Sequence, residues 1–327
     1  MRVASRLTAG LGLVLLSAAM AGAATAADLP KTVTLDWAYY NPVSLVLKKQ
    51  GWLESDLGKD GVSVRWVLSL GSNKAIEFLN ADSVNFGSTA GSAALLARIN
   101  GSPIKAIYIY SKPEWTALVT RPDTGIVKVE DLRGKRVAVT RGTDPYIFLL
   151  RALQRFGLSE RDIKPVLLQH PDGRTALEQG AVDAWAGLDP MMAQTELENG
   201  SKLFFRDANL NTYGFLNVRE EFAKQYPAAV ERVLAVYEQG RKWALAHPAE
   251  LRQVIAEAAN LTDAVAARQL ERTDLSNSRI GAVHRDTIVA AGHALQQSGV
   301  IEANVDVEKA ANDLIDTSFG ERLAAGP

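Results

Sequence analysis

Residues 135–157 read KRVAVTRGTDPYIFLLRALQRFG, which is strand, tight glycine turn and helix in immediate succession. Arg136 to Thr140 is a short run rich in β-branched residues, and Gly142 breaks it. Asp144 followed by Pro145 supplies an N-cap with proline at the first helical position. Tyr146, Leu149, Leu150, Leu153 and Phe156 then recur at helical spacing, so one face can pack on a sheet, and Gly157 marks the stop. Such a helix aims unpaired backbone N–H groups, and the positive end of its dipole, at whatever lies beyond the strand's carboxyl end. The segment is either an anion seat or an ordinary well-capped connection, and the surrounding chain has to decide between them.

The same grammar recurs on both sides. Upstream, Val33 to Ala38 alternates as a strand and Tyr39-Tyr40-Asn41-Pro42 turns it into a helix carrying Val43, Val46, Leu47 and Trp52. Val62 to Leu68 leads through Gly71-Ser72-Asn73 into a short helix, and Val84 to Phe86 leads through the small-residue turn Gly87 to Ser92 into the apolar helix 93–99. Ser88 and Thr89 add hydroxyl donors on that turn. Ile104 to Tyr110 and Thr116 to Thr120 complete this first series of strands. Downstream, Lys164 to Gln169, then Val182 to Gly187 followed by Leu188-Asp189-Pro190 at a helix start, continue a second series. Leu203 to Phe205 and Phe215 to Val218 are the last strand candidates, and from Glu220 to about Thr317 the pattern is helical throughout. Helix 227–246 is the clearest of these, with Pro248 after it.

This layout predicts two α/β lobes followed by a helical tail: 28–118 and 214–327 in the first lobe, 119–213 in the second. The chain is expected to cross back near Asn211 to Phe215, with the tail packing on the first lobe. Two crossings make a hinged pair whose strand-end turns face one another across a cleft, where open α/β sheets bind ligands.

Composition bounds the function. The chain has 327 residues, 47% hydrophobic and 22% charged, enough material for two lobes. Residues 1–27 carry Arg2 and Arg6 before an apolar run, Leu11 to Ala23, and a small-residue tract before Asp28, which predicts a cleaved secretory signal peptide. Removing Arg2 and Arg6 leaves 34 basic against 37 acidic residues, which suggests no polyanionic partner such as nucleic acid. With no cysteine, lipid attachment at a processed N-terminal cysteine, disulfides and thiolate chemistry are excluded. A free periplasmic protein, expected to be a monomer, fits these features. His170, His247, His284 and His293 are scattered and adjoin no carboxylate at metal-ligand spacing, so no metal or other cofactor is indicated. No nucleophile elbow or phosphate loop occurs, and no catalytic residue is assigned.

Asn41-Pro42-Val43-Ser44-Leu45-Val46-Leu47, Phe86-Gly87-Ser88-Thr89, Gly142-Thr143-Asp144 after Asp131-Leu132-Arg133-Gly134-Lys135, and Val182 through Pro190 together resemble the aliphatic sulfonate-binding proteins. These are periplasmic components of ABC importers, close to the taurine-, nitrate- and thiamine-precursor-binding proteins. The resemblance spans nearly the whole chain after residue 27. It implies a type II periplasmic-binding-protein fold and a small organosulfonate clamped between the lobes and handed to a membrane permease. Position by position it implies ligand-lining roles for Asn41 and Ser44 on the first turn, Ser88 and Thr89 on the second, Thr143 and Asp144 on the third, and Trp185 and Asp189 on the fourth, with Tyr213 as a further candidate. Relatives commonly place serines in the third turn, whereas this chain has Thr143-Asp144-Pro145, and an extra carboxylate would repel a bare anion. Asp144 is accordingly either a plain N-cap or, with Asp189, an ammonium partner for a zwitterionic ligand. The alternatives are a receptor for taurine, nitrate, bicarbonate or a thiamine pyrimidine precursor, or an enzyme built on the same two lobes.

Overall fold

The computed structural model describes residues 29–325, so the segment read as a signal peptide lies outside the described residues. Among the described residues the strands are β1 (Thr32–Trp37), β2 (Ser63–Leu68), β3 (Phe86–Ala90), β4 (Ile104–Pro113), β5 (Leu118–Thr120), β6 (Arg136–Val139), β7 (Lys164–Leu167), β8 (Ala184–Ala186), β9 (Lys202–Phe205), β10 (Gly214–Arg219) and β11 (Thr273–Asp274). They form two sheets, ordered β11-β4-β10-β3-β1-β2 and β7-β6-β8-β5-β9. In the first, β1 runs parallel to β2 and β3 while β10 lies antiparallel between β3 and β4. In the second, β6 runs parallel to β7 and β8, and β5 is antiparallel to β8 and β9.

Both sheets are covered on both faces, which is why their strands read as apolar runs more than as strict alternations. Helices Pro42–Gln50 and Pro227–Ala246 bury Val43, Leu47, Val230 and Leu234 on one face of the first sheet. A Cβ added at Gly240 would sit 2.2 Å from Leu47 Cδ1, so these two helices approach as closely as a glycine allows. Leu95, Ile288 and Leu314 pack against the other face. Helix Asp144–Arg155 lays Tyr146, Leu149, Leu150 and Leu153 on the second sheet, the stripe its spacing predicts.

The chain passes between the sheets over residues 114–117 and again over 206–213. Arg206 donates bidentately to Glu114, with Nε to Oε1 and Nη2 to Oε2 both at 2.8 Å, tying the two crossings together.

Three local expectations are corrected. Ser88 and Thr89 do not lie on a turn: β3 runs on through them because β10 supplies antiparallel partners, Leu216 opposite Ser88 and Phe215 opposite Thr89. The segment after Glu220 is not helical throughout, since Thr273 and Asp274 pair with Pro113 and Lys112 on the edge of the first sheet. The tail does not rest on the first lobe alone. Helix Ala282–Gln297 puts Ile288 into a first-lobe cluster but Ala291 and Leu295 into the second-lobe cluster, and Gln154 Nε2 donates to Ala294 O at 3.0 Å. An amphipathic pattern marks which face of a helix is buried, not which neighbour buries it.

Candidate functional site

The carboxyl ends of β2 in the first sheet and of β6 and β7 in the second lead into helices whose first turns meet between the lobes. Ser72 opens helix Ser72–Asn80, Thr143 caps helix Asp144–Arg155, and His170 is the first residue of helix His170–Glu178. Together with Tyr40, Trp115, Asp144, Pro145 and Leu188 they enclose a cavity of about 10 Å³, room for about one water. The lobes are in contact here: a Cβ built on Gly71 would lie 3.2 Å from His170 Cδ2 and Nε2. A wider groove of about 900 Å³ runs between helices 144–155 and 282–297, but Arg141 on its wall is already paired with Glu160 at 2.9 Å, and the buried converging polar groups belong to the smaller cavity.

Asp144 is the most heavily bonded side chain at this junction. It is 1% exposed, and its Oδ1 accepts from Ser92 Oγ at 2.5 Å and Thr212 Oγ1 at 2.9 Å, while Oδ2 accepts from Trp115 Nε1 at 2.9 Å and Thr212 N at 3.0 Å. Trp115 lies on one crossing and Thr212 on the other, and Ser92 begins the first-lobe helix Gly91–Ile99. One carboxylate at a second-lobe helix start therefore knots both hinge strands to a first-lobe helix start. With four donors its charge is compensated without a cation.

Asp189 makes a second interlobe link. Its carboxylate accepts from Arg272 Nη1 at 3.3 and 3.4 Å, and Arg272 Nη2 also pairs with Glu196, which in turn binds Arg268 at 2.9 Å. Burial pushes the Asp189 carboxyl up to about 7, against the pull of the Arg272 guanidinium.

Of the remaining sequence candidates, Thr143 lines the cavity, with its Oγ1 donating to Thr140 O at 2.6 Å. Asn41 and Ser44 lie just behind it, wired to each other and to the sheet. Asn41 Oδ1 accepts from Ser44 N at 3.2 Å, Asn41 Nδ2 donates to Ser88 Oγ at 2.8 Å, and Ser44 Oγ donates to Asn41 O at 2.7 Å. Ser88 N and Oγ both donate to Asp36 Oδ1 at 2.8 Å, and Thr89 Oγ1 accepts from Asn217 Nδ2 at 2.8 Å. Asp36 is fully buried, and desolvation raises its carboxyl to about 6 despite donors from Ser69 and Ser88.

Trp185 lies in the second-lobe core with Val119, Leu177 and Met192, directly under Gly173, and is not part of the cavity wall. Tyr213 stacks edge-on against His284 at 4.4 Å with Lys112 Nζ 5.9 Å from its ring, also away from the cavity. Conversely, Tyr40, Ser72 and His170 line the cavity although sequence reading did not select them. The available signal was their place at the start of helices that follow strands, the same grammar as in residues 135–157.

Residues 45–251 match the model of the family described as NMT1/THI5 like. The chain belongs to that family. It is 27% identical over 278 residues to a putative aliphatic sulfonates-binding protein of Bacillus subtilis, covering 84% of this chain and 82% of that protein. A putative aliphatic sulfonates-binding protein of Escherichia coli is 31% identical over 178 residues, 54% of this chain and 56% of the relative. Among solved structures, the alkanesulfonate-binding protein SsuA from Xanthomonas axonopodis pv. citri, bound to MOPS, superposes with a TM-score of 0.81 at 23% identity, covering 89% of this chain and all of that one. The fold of this NMT1/THI5-like protein is thus the mixed α/β, two-lobed periplasmic-binding-protein fold.

Proposed function

We propose that this protein is the substrate-binding component of an ABC importer, that it closes its two lobes on an aliphatic sulfonate, and that it delivers the ligand to a membrane permease for sulfur acquisition. The carrying observation is the meeting of three helix N-termini, at Ser72, Thr143 and His170, around a junction whose lining holds no lysine or arginine. Fixed backbone dipoles suit an anion that stays charged at every relevant pH and needs no proton acceptor. They also leave the pair releasable, because no buried guanidinium holds the anion. The curated relatives named as aliphatic sulfonate binders support the same ligand class.

The cavity of about 10 Å³ is too small for a sulfonate, so the lobes part to admit it and close again with contacts made only when both touch the ligand. Within this reading the lobes are 28–118 with 214–327, and 119–213, joined at the two crossings. The protein is a periplasmic, unlipidated monomer, and no bond in the ligand is made or broken. Micromolar affinity corresponds to about 8 kcal/mol, within reach of several charge-assisted hydrogen bonds and a buried alkyl tail.

A thermal-shift panel of alkanesulfonates, taurine, sulfate, nitrate, bicarbonate and pyrimidine precursors tests the reading, because a ligand that binds the native state raises the melting temperature. A rise with organosulfonates is expected. Rises confined to inorganic anions or pyrimidines would overturn the ligand class.

A further inference from the structure

His170 is wholly buried on the wall of the interlobe cavity, and its Nε2 has no hydrogen-bond partner. Its other nitrogen settles which kind of atom that is. Thr140 Oγ1 donates its single proton to Leu168 O at 2.6 Å, so at 3.3 Å from His170 Nδ1 it can only accept. Nδ1 therefore carries the ring proton and Nε2 presents a lone pair. Burial drives the imidazolium pKa down to about 3, so the ring stays neutral and keeps that arrangement. The Nε2 edge faces Gly71 of the opposite lobe, where Asn73 Oδ1 is a second buried acceptor without a partner. The Nε2 lone pair thus faces a junction at which three helix starts meet. Among the described residues fifteen buried side-chain polar atoms have no partner, but of the residues lining the cavity only His170 carries one, whereas most buried polar atoms in proteins are satisfied.

We infer that His170 is a specificity-determining residue whose Nε2 accepts a hydrogen bond from the ligand, so that the preferred ligands are organosulfonates carrying a hydroxyl or ammonium donor on the short chain next to the sulfonate. The helix ends take the sulfonate oxygens and the histidine takes the donor. A plain alkanesulfonate of equal length leaves Nε2 buried and unpaired, which penalises it relative to the donor-bearing analogue. This inference rests on the cleft-binding reading above.

The test is calorimetric titration of the protein with ethanesulfonate, 2-hydroxyethanesulfonate and taurine. The wild type is expected to bind at least one donor-bearing ligand about 10- to 100-fold more tightly than ethanesulfonate, and the arm showing the preference tells hydroxyl from ammonium. His170→Phe keeps a ring without the acceptor and should bring the ratio to within about threefold. His170→Gln places an amide oxygen near the Nε2 position and should retain a preference. Thr140→Val leaves the ring in place, removes the group that fixes its proton on Nδ1, and should lower the ratio even if the phenylalanine variant fails to fold. A wild-type ratio near one with ethanesulfonate bound, or a preference that survives His170→Phe, overturns the role of His170 and leaves the sulfonate reading standing. If none of the three ligands binds, the sulfonate reading fails and takes this inference with it.

Discussion

Replacing Asp144 by alanine removes one carboxylate from four buried donors, and the four do not lose equally. Thr212 Oγ1 and Ser92 Oγ stand 3.4 Å apart, so one hydroxyl can donate to the other and the pair loses less than a donor of fixed direction. Trp115 Nε1 and Thr212 N are fixed in direction, have only Asp144 Oδ2 as acceptor at this junction, and are left without a partner. Each buried unsatisfied donor costs about 1–3 kcal/mol, so Asp144→Ala should lower stability by about 2–6 kcal/mol. For a chain of this size about 2 °C of melting temperature corresponds to each kcal/mol, giving a fall of about 4–12 °C in a ligand-free scanning calorimetry experiment. Asp144→Asn is the control. Its carbonyl can face the two fixed N–H donors while its amide donates to the two hydroxyls, which rotate to accept. What it loses is charge assistance, so its deficit should stay below about 2 kcal/mol. A pattern of alanine much worse than asparagine supports the knot at the crossings. An alanine variant melting within about 2 °C of wild type would refute it.

Four further outcomes follow from the geometry. Asp36 titrates near 6 in the folded state against about 4 unfolded, so its contribution to stability is fully present below pH 4 and is lost as pH rises through 6. Asp36→Asn should therefore gain up to about 3 kcal/mol relative to wild type between pH 4 and pH 7, read as a difference of urea midpoints. Arg272→Leu leaves the Asp189 and Glu196 carboxylates without their buried partner and should cost about 3–5 kcal/mol at pH 8, and less at pH 5, where Asp189 takes up a proton. Gly173→Ala puts a Cβ 2.7 Å from Trp185 Nε1 and should destabilise by about 1–3 kcal/mol by overpacking the second-lobe core. Gly240→Ala, wedged against Leu47, should cost a similar amount while leaving ligand Kd unchanged, because it lies in the first-lobe helix layer away from the cavity.

What was legible in the chain by itself was its local grammar. Strand, small-residue turn and capped helix repeat from Val33 to Met191, and each instance reports the residues that make it: Pro42 and Pro145 at helix starts, Gly142 with φ 75° in its turn, the apolar stripe of helix Asp144–Arg155. These are contacts between near neighbours in sequence, so periodicity and capping encode them directly. The two α/β lobes and the meeting of helix ends between them follow from that repetition. The sequence could not say which hydroxyls would remain free at the junction. Asn41, Ser44, Ser88 and Thr89 are polar residues near strand ends, yet their side chains find partners in Asp36, Asn217 and one another, pairings set by strands brought together from distant parts of the chain. Trp185 could have faced a ligand or a core, and only the seating of Gly173 above it decides for the core. His170 shows the reverse. Nothing local distinguishes it, and it matters because Thr140 fixes its proton and the opposite lobe closes over its free nitrogen. Hydrogen-bond satisfaction depends on the whole three-dimensional neighbourhood, so the fold was readable from local pattern while the chemistry of the junction had to wait for the packed structure.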